Sequence, residues 1–145
     1  MGNRRFSREL VIQFLYLTEM NEGEIASQLE AFWESNPNKD EGVQTFTEDI
    51  LNNIFEHKKE IDARLEKYSD NWTLSRMTVI DRNLLRMAAS ELMYSKAVPP
   101  KVAIDEAVEI AKRFGTADSP NFINGILDRI LKELKPDIPQ ASLNQ

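Results

Sequence analysis

Cysteine is absent from this chain, which excludes disulfides, thiolate metal sites and cysteine nucleophiles at once. Histidine occurs once, at His57, between Glu56, Lys58 and Glu60 on what reads as a charged helix face. A solvated histidine is the plain reading; a catalytic base would need a serine or aspartate partner that the sequence does not identify. The five glycines are scattered, so no loop is built to cradle a phosphate. No apolar run approaches the ~20 residues of a membrane span, and the N-terminus lacks the apolar segment of a signal peptide. Asp105, Glu106 and Glu109 share their stretch with Lys112 and Arg113, the pattern of a solvated helix face rather than a metal box. These absences predict a cytoplasmic protein without catalysis, metal or cofactor.

What is present is ordinary in amount and uneven in placement. The 145 residues, 41% hydrophobic and 29% charged, suit one soluble domain large enough to bury a core. The net charge of −6 argues against a nucleic-acid binder only if it is spread evenly. It is not: residues 1–8 carry Arg4, Arg5 and Arg8 with no acid, whereas residues 19–66 hold a net −9. Exposed charges are screened beyond ~10 Å, so a phosphate-binding end can coexist with an acidic body.

The apolar pattern is helical nearly throughout and predicts an all-α fold of about seven helices. Helices are expected at about 6–20 and 24–34, with a loop at Ser35–Gly42. A third stretch, 45–68, keeps helical spacing with a break near His57. Residues 69–76 read as a linker whose Trp72 and Leu74 plug into the core. Thr78 with Asp81 resembles a capping box opening a helix to about Ser95, with Asp in place of the usual Glu or Gln. Pro99-Pro100 restarts the chain in a helix whose apolar stripe is Ala103, Ile104, Ala107, Val108, Ala111 and Phe114 and which ends at Gly115, expected as a left-handed C′ residue. Ser119 is expected to cap the last helix, with Pro120 at its first position. The division is one domain over 1–135, with two small packed helical subdomains at about 1–68 and 77–135 and a flexible tail at 136–145.

Three surfaces are candidates for binding. Arg4, Arg5 and Arg8 share one side if the first helix extends back to Asn3; they either solubilise that end or contact phosphates, which guanidinium forks suit. Leu10 to Leu17 is apolar almost all round. Leu10, Phe14 and Leu17 mark the core side, and Ile12 and Tyr16 point away from it. Either this helix is central to the bundle or its second side meets a partner protein. Phe122 lies about 110° from the stripe formed by Ile123, Ile126, Leu127 and Ile130, on the side of Asp118, Gly125 and Arg129. It is either an edge aromatic of the core or a stacking platform for an unpaired base. Asp118 is either a helix-start residue or an acceptor for a base edge.

The run Pro100-Lys101-Val102-Ala103-Ile104-Asp105-Glu106-Ala107-Val108-Glu109-Ile110-Ala111-Lys112, then Phe114-Gly115, Asp118-Ser119, Phe122 and Asn124-Gly125, resembles the C-terminal signature of the NusB family of transcription antitermination factors. Arg4-Arg5, Arg8-Glu9, Gln13 and Leu15-Tyr16 are similar to the family's first helix, and Asp81-Arg82, Leu85-Arg86 and Glu91-Leu92 to its long central one. The resemblance implies a non-enzymatic RNA-binding protein. It implies single-stranded boxA RNA of ribosomal RNA leader transcripts as ligand and the ribosomal protein NusE as partner. It further implies assembly with other Nus factors and RNA polymerase to resist termination. Residue by residue, it places Arg4, Arg5, Arg8, Tyr68, Asp118 and Phe122 at the RNA, and Tyr16 and Asp81 at NusE. Phe6 stands where many members carry another arginine, which favours a site completed by the partner. The same fold opens certain RNA cytosine methyltransferases, but a chain of this length is expected to lack their methyl-donor domain. The competing expectation is a plain helical interaction module, a homodimer through the second face of helix one.

Overall fold

The computed structural model describes residues 2–70 and 72–134. Among them, the chain forms α1 Gly2–Met20, α2 Ile25–Ser35, α3 Glu41–Glu56, α4 Lys58–Tyr68, α5 Val79–Tyr94, α6 Pro100–Phe114 and α7 Ser119–Leu134. One 3-10 turn, Leu74–Arg76, joins α4 to α5, and no strand occurs among the described residues. The fold is therefore all-α, as the helical periodicity requires. The expected tail, 136–145, lies outside the described residues.

Helix α5 is the axis of the molecule and packs against α1, α3, α4, α6 and α7. Its sequence allows this because apolar residues fall on every side: Leu84, Leu85, Met87, Ala88, Ala89 and Leu92 are all buried. The two alanines let neighbouring helices approach closely, and each large side chain contributes roughly 1.5–3 kcal/mol by leaving water. Helix α1 answers from one side with Leu10, Val11, Ile12, Phe14 and Leu15. Its buried sector is wider than the expected stripe, so Ile12 belongs to the core while Tyr16 stays 49% exposed. Phe14 meets Phe32 and Phe55 edge-on, at 5.4 and 6.3 Å between ring centres.

The helix ends show where local chemistry departs from expectation. Helix α3 starts earlier than expected because Asp40 caps it, accepting from the backbone N–H of Gly42 (2.9 Å) and Val43 (3.3 Å). The break between α3 and α4 does fall at His57 (φ −118°, ψ 24°). Its ring is half-buried rather than solvated, stacked 3.9 Å from that of Tyr94 and 3.3 Å from Glu60. Only half of the capping box at α5 forms. Thr78 Oγ1 accepts from the Asp81 N–H at 3.1 Å, but Asp81 Oδ1 is buried with no partner among the described residues. Aspartate is one methylene shorter than the glutamate that normally reaches back. Gly115 is not left-handed: it is extended, at φ −93° and ψ −170°. Close approach explains it instead, because a Cβ there would lie 2.6 Å from Ser119 and 2.9 Å from the Ala111 carbonyl. Ser119 is itself helical and buried, and its hydroxyl turns back to accept from the Thr116 N–H at 3.0 Å.

Candidate nucleic-acid and partner interface

The turn between α6 and α7 separates two grooves. The first, about 240 Å³, is lined by Trp72, Arg76 and Thr78 from the α4–α5 connection, Asp81 of α5, Asp118 of the turn and Phe122 of α7. The second, about 210 Å³, is lined by Glu9, Ile12, Gln13 and Tyr16 of α1, Ile80 of α5, and Ile110 and Phe114 of α6. Near neighbours in the chain supply opposite sides of the divide: Ile80 and Phe114 face one groove, Asp81 and Thr116 the other.

The first groove brings together Asp81, Asp118 and Phe122. Phe122 rests against the core while one part of its ring stays open, and Trp72 meets it edge-on at 6.4 Å and 73°. Trp72 does not plug into the core as expected; it is 53% exposed. Leu74 does, and is buried. The loop that carries Trp72 is pinned from outside. Arg129 donates to the Tyr68 carbonyl (3.0 Å) and to both carboxylate oxygens of Asp70 (3.1 Å). Asp70 takes the left-handed conformation at φ 54°, which aspartate tolerates better than most residues. Asp81, expected on the same partner surface as Tyr16, sits instead in the groove of Phe122 and is 9% exposed.

The second groove is apolar and framed by Tyr16 and Phe114. Phe114, assigned by spacing to the core stripe of α6, is 48% exposed, with the Arg113 guanidinium 4.9 Å over its ring. It is the last residue of its helix, where phase no longer guarantees cover.

The three N-terminal arginines part company. Arg4 is exposed and lies 4.8 Å over the Phe46 ring, beside a surface hollow of about 450 Å³. Arg5 pairs with Glu106 of α6, donating from Nε to Oε1 at 3.1 Å. That bond, with the charges of Arg5 and Arg8, holds the Glu106 carboxyl below the usual carboxylate range against the opposing pull of burial. Arg8 is a correction. Its side chain is 2% exposed and forks onto Glu91 of α5, Nε to Oε2 at 3.0 Å and Nη2 to Oε1 at 2.8 Å. A guanidinium so enclosed binds α1 to α5 and cannot meet a phosphate. Helical phase carried the signal, since Arg8 shares its face with Val11 and Leu15. Tyr68 is half-buried below Lys67 and lines neither groove.

Exposed aromatics beside carboxylates, set on a rigid helical frame, make this a helical binding protein that offers two adjoining surfaces. The chain belongs to the NusB family: the family's sequence model matches residues 5–132. It is 46% identical over 138 residues to the transcription antitermination protein NusB of Geobacter sulfurreducens, covering 94% of this chain and 99% of that one. The NusB of Thermodesulfovibrio yellowstonii is 42% identical, covering 90% and 92%. Among solved structures, NusB of T. maritima superimposes with a TM-score of 0.82 at 36% identity, over 98% of this chain and 97% of that one. A NusB solved with NusE and double-stranded RNA shares the fold at 22% identity, TM-score 0.82, over 92% and 98%. No helix among the described residues is long and apolar enough to cross a membrane.

Proposed function

We propose that this chain binds single-stranded boxA RNA of ribosomal RNA leader transcripts together with the ribosomal protein NusE. With other Nus factors, the complex makes RNA polymerase resistant to termination, and the chain itself performs no catalytic step. The observation that carries this reading is the pair of adjoining grooves. One offers aromatic faces and carboxylates, the chemistry that holds unpaired bases. The other is apolar with an exposed tyrosine and phenylalanine, the make-up of an interface centre. RNA approaches over Phe122 and Asp118, with Tyr68, Arg4 and Arg5 as further contacts, and NusE docks on Tyr16 and Phe114. A relative of this fold is described with NusE and RNA in one complex, which is consistent with that division.

Titrating a boxA oligonucleotide into the chain, with and without NusE, tests the reading. Tight binding only with both proteins present is expected. RNA affinity indifferent to NusE would refute the shared site. If the chain alone sediments as a dimer that NusE does not disturb, the Tyr16–Phe114 face serves self-association instead.

A further inference from the structure

The turn between α6 and α7 joins the two grooves from one side, with Phe114 on one and Thr116 on the other. From the other side a single guanidinium joins them. Glu19 lies in the last turn of α1, three residues beyond Tyr16, where the negative end of the helix dipole disfavours a carboxylate. It is held there from α5. Arg82 Nε donates to both of its oxygens, at 2.9 and 3.1 Å, and Arg82 Nη2 adds a bond to Oε1. Asn83 Nδ2 donates to Oε2 at 2.8 Å. The remaining arm of Arg82 turns the other way. Its Nη1 donates at 2.7 Å to the carbonyl of Met77, a buried residue outside α5 that lines the first groove. The Arg82 side chain is only 17% exposed, so water competes little for these bonds. Guanidinium donors sit in one rigid plane, so neither end of the bridge moves without the other. Arg86, one turn on, gives the contrast: it spans Glu19 and Asp62 of α4 and reaches neither groove.

We propose that Arg82 is a positioning residue that keeps the partner surface on α1 in register with the Met77 wall of the RNA groove, so that each ligand's hold depends on the other's. The proposal rests on the RNA-binding reading above and names the residue through which its two surfaces act together. RNA over the first groove and NusE on the second meet at the divide between them. Their mutual contacts form only while the two seats keep a fixed spacing, and a looseness of about 1 Å is enough to lose contacts of this kind. Arg82 lines neither groove. Removing its bridge therefore leaves each seat in place and unties one from the other.

The test is a thermodynamic cycle with the full chain, NusE and a labelled boxA oligonucleotide at low salt. RNA affinity is read by anisotropy with and without saturating NusE, and NusE affinity without RNA by calorimetry. The ratio of the two RNA affinities measures the coupling between the surfaces. Arg82→Gln is expected to keep both binary affinities within about threefold of wild type and to cut the coupling by about tenfold, inside the usual span of such couplings. Glu19→Ala should give the same loss, and the double variant no more, because the two residues form one bridge. If Arg82→Gln loses helicity, Glu19→Ala carries the reading. Asp62→Asn frees Arg86 from α4; it should lower stability and leave the coupling at the wild-type value. Wild-type coupling in Arg82→Gln or Glu19→Ala overturns the proposal. An equal loss in Asp62→Asn reduces the bridge to general stability and overturns it too. NusE binding that is weakened without RNA present assigns Arg82 to the partner interface, against the proposal. RNA that binds the wild-type chain neither alone nor with NusE sinks the RNA-binding reading, and RNA affinity indifferent to NusE sinks the shared site; both take the proposal with them.

Discussion

At the scale of single residues, Arg8 and Phe122 make opposite predictions. Arg8 is enclosed with Glu91, and its Nη1 also lies 3.6 Å from Glu106. Truncating one member of such a pair strands the other's charge, at a cost of about 3–5 kcal/mol. Arg8→Ala should therefore lower the urea midpoint sharply, and any RNA defect should track unfolding. Normal stability with lost RNA binding would show that the guanidinium faces the ligand after all. Phe122→Ala should do the reverse: about 1–3 kcal/mol less RNA binding by anisotropy, with only a modest loss of stability, since the ring is already half open. The sequence leaves both residues open, Arg8 between a solubilising end and a phosphate contact, Phe122 between a core-edge aromatic and a stacking platform. What separated them was the width of the buried sector on α1, which depends on how many helices surround it and is fixed only once α3 and α5 are in place.

At the scale of elements, the joint between α6 and α7 positions both grooves, and Gly115 is its tightest point. Gly115→Ala would drive a methyl against Ser119 and the Ala111 carbonyl. Overpacking of this kind costs about 1–3 kcal/mol, so chemical denaturation should show that loss, with Trp72 fluorescence reporting a shifted groove. Stability equal to wild type would mean that the turn relaxes freely and does not hold the two surfaces in register. The glycine itself was legible in the sequence as a helix stop, but its reason was not. Left-handed geometry is a local property that a sequence can suggest; the approach of Ser119 belongs to the folded turn. Trp72 and Phe114 depart from expectation for a related physical reason. Periodicity assigns faces within a helix, while Trp72 lies between helices and Phe114 at the end of one. The helices themselves, the break at His57 and the off-stripe position of Phe122 followed from spacing, because a continuous apolar stripe has only one way to be covered.

At the scale of the whole molecule, charge links stability to binding. Burial pushes the Glu19 carboxyl up, but hydrogen bonds from Arg82 and Asn83 and the charges of Arg82 and Arg86 outweigh it and leave it below its ordinary value. Glu106 is depressed likewise, first by its bond from Arg5. Carboxyls depressed in the folded state contribute stability that is fully present above their ordinary value of 4.5 and is lost as pH falls through the folded values. The thermal midpoint should hold steady near neutrality and fall progressively below about pH 4.5; a midpoint that rises on acidification would contradict these pairs. The same commitments limit what the chain can offer to RNA. Arg8 is enclosed, Arg5 is engaged by Glu106, and Arg4 makes no ion pair among the described residues, on a body of net charge −6. Affinity for single strands falls with salt in proportion to the phosphates neutralised, with a slope of roughly −0.7 for each. The chain alone should thus give a shallow logarithmic slope, about −1 to −2, carried by stacking more than by ion pairs. Adding NusE should steepen that slope if the partner brings its own cations to the strand. Arg4→Ala should flatten the slope of the chain alone by about 0.7, and a salt dependence unchanged by both manipulations would place the phosphate contacts elsewhere on the molecule.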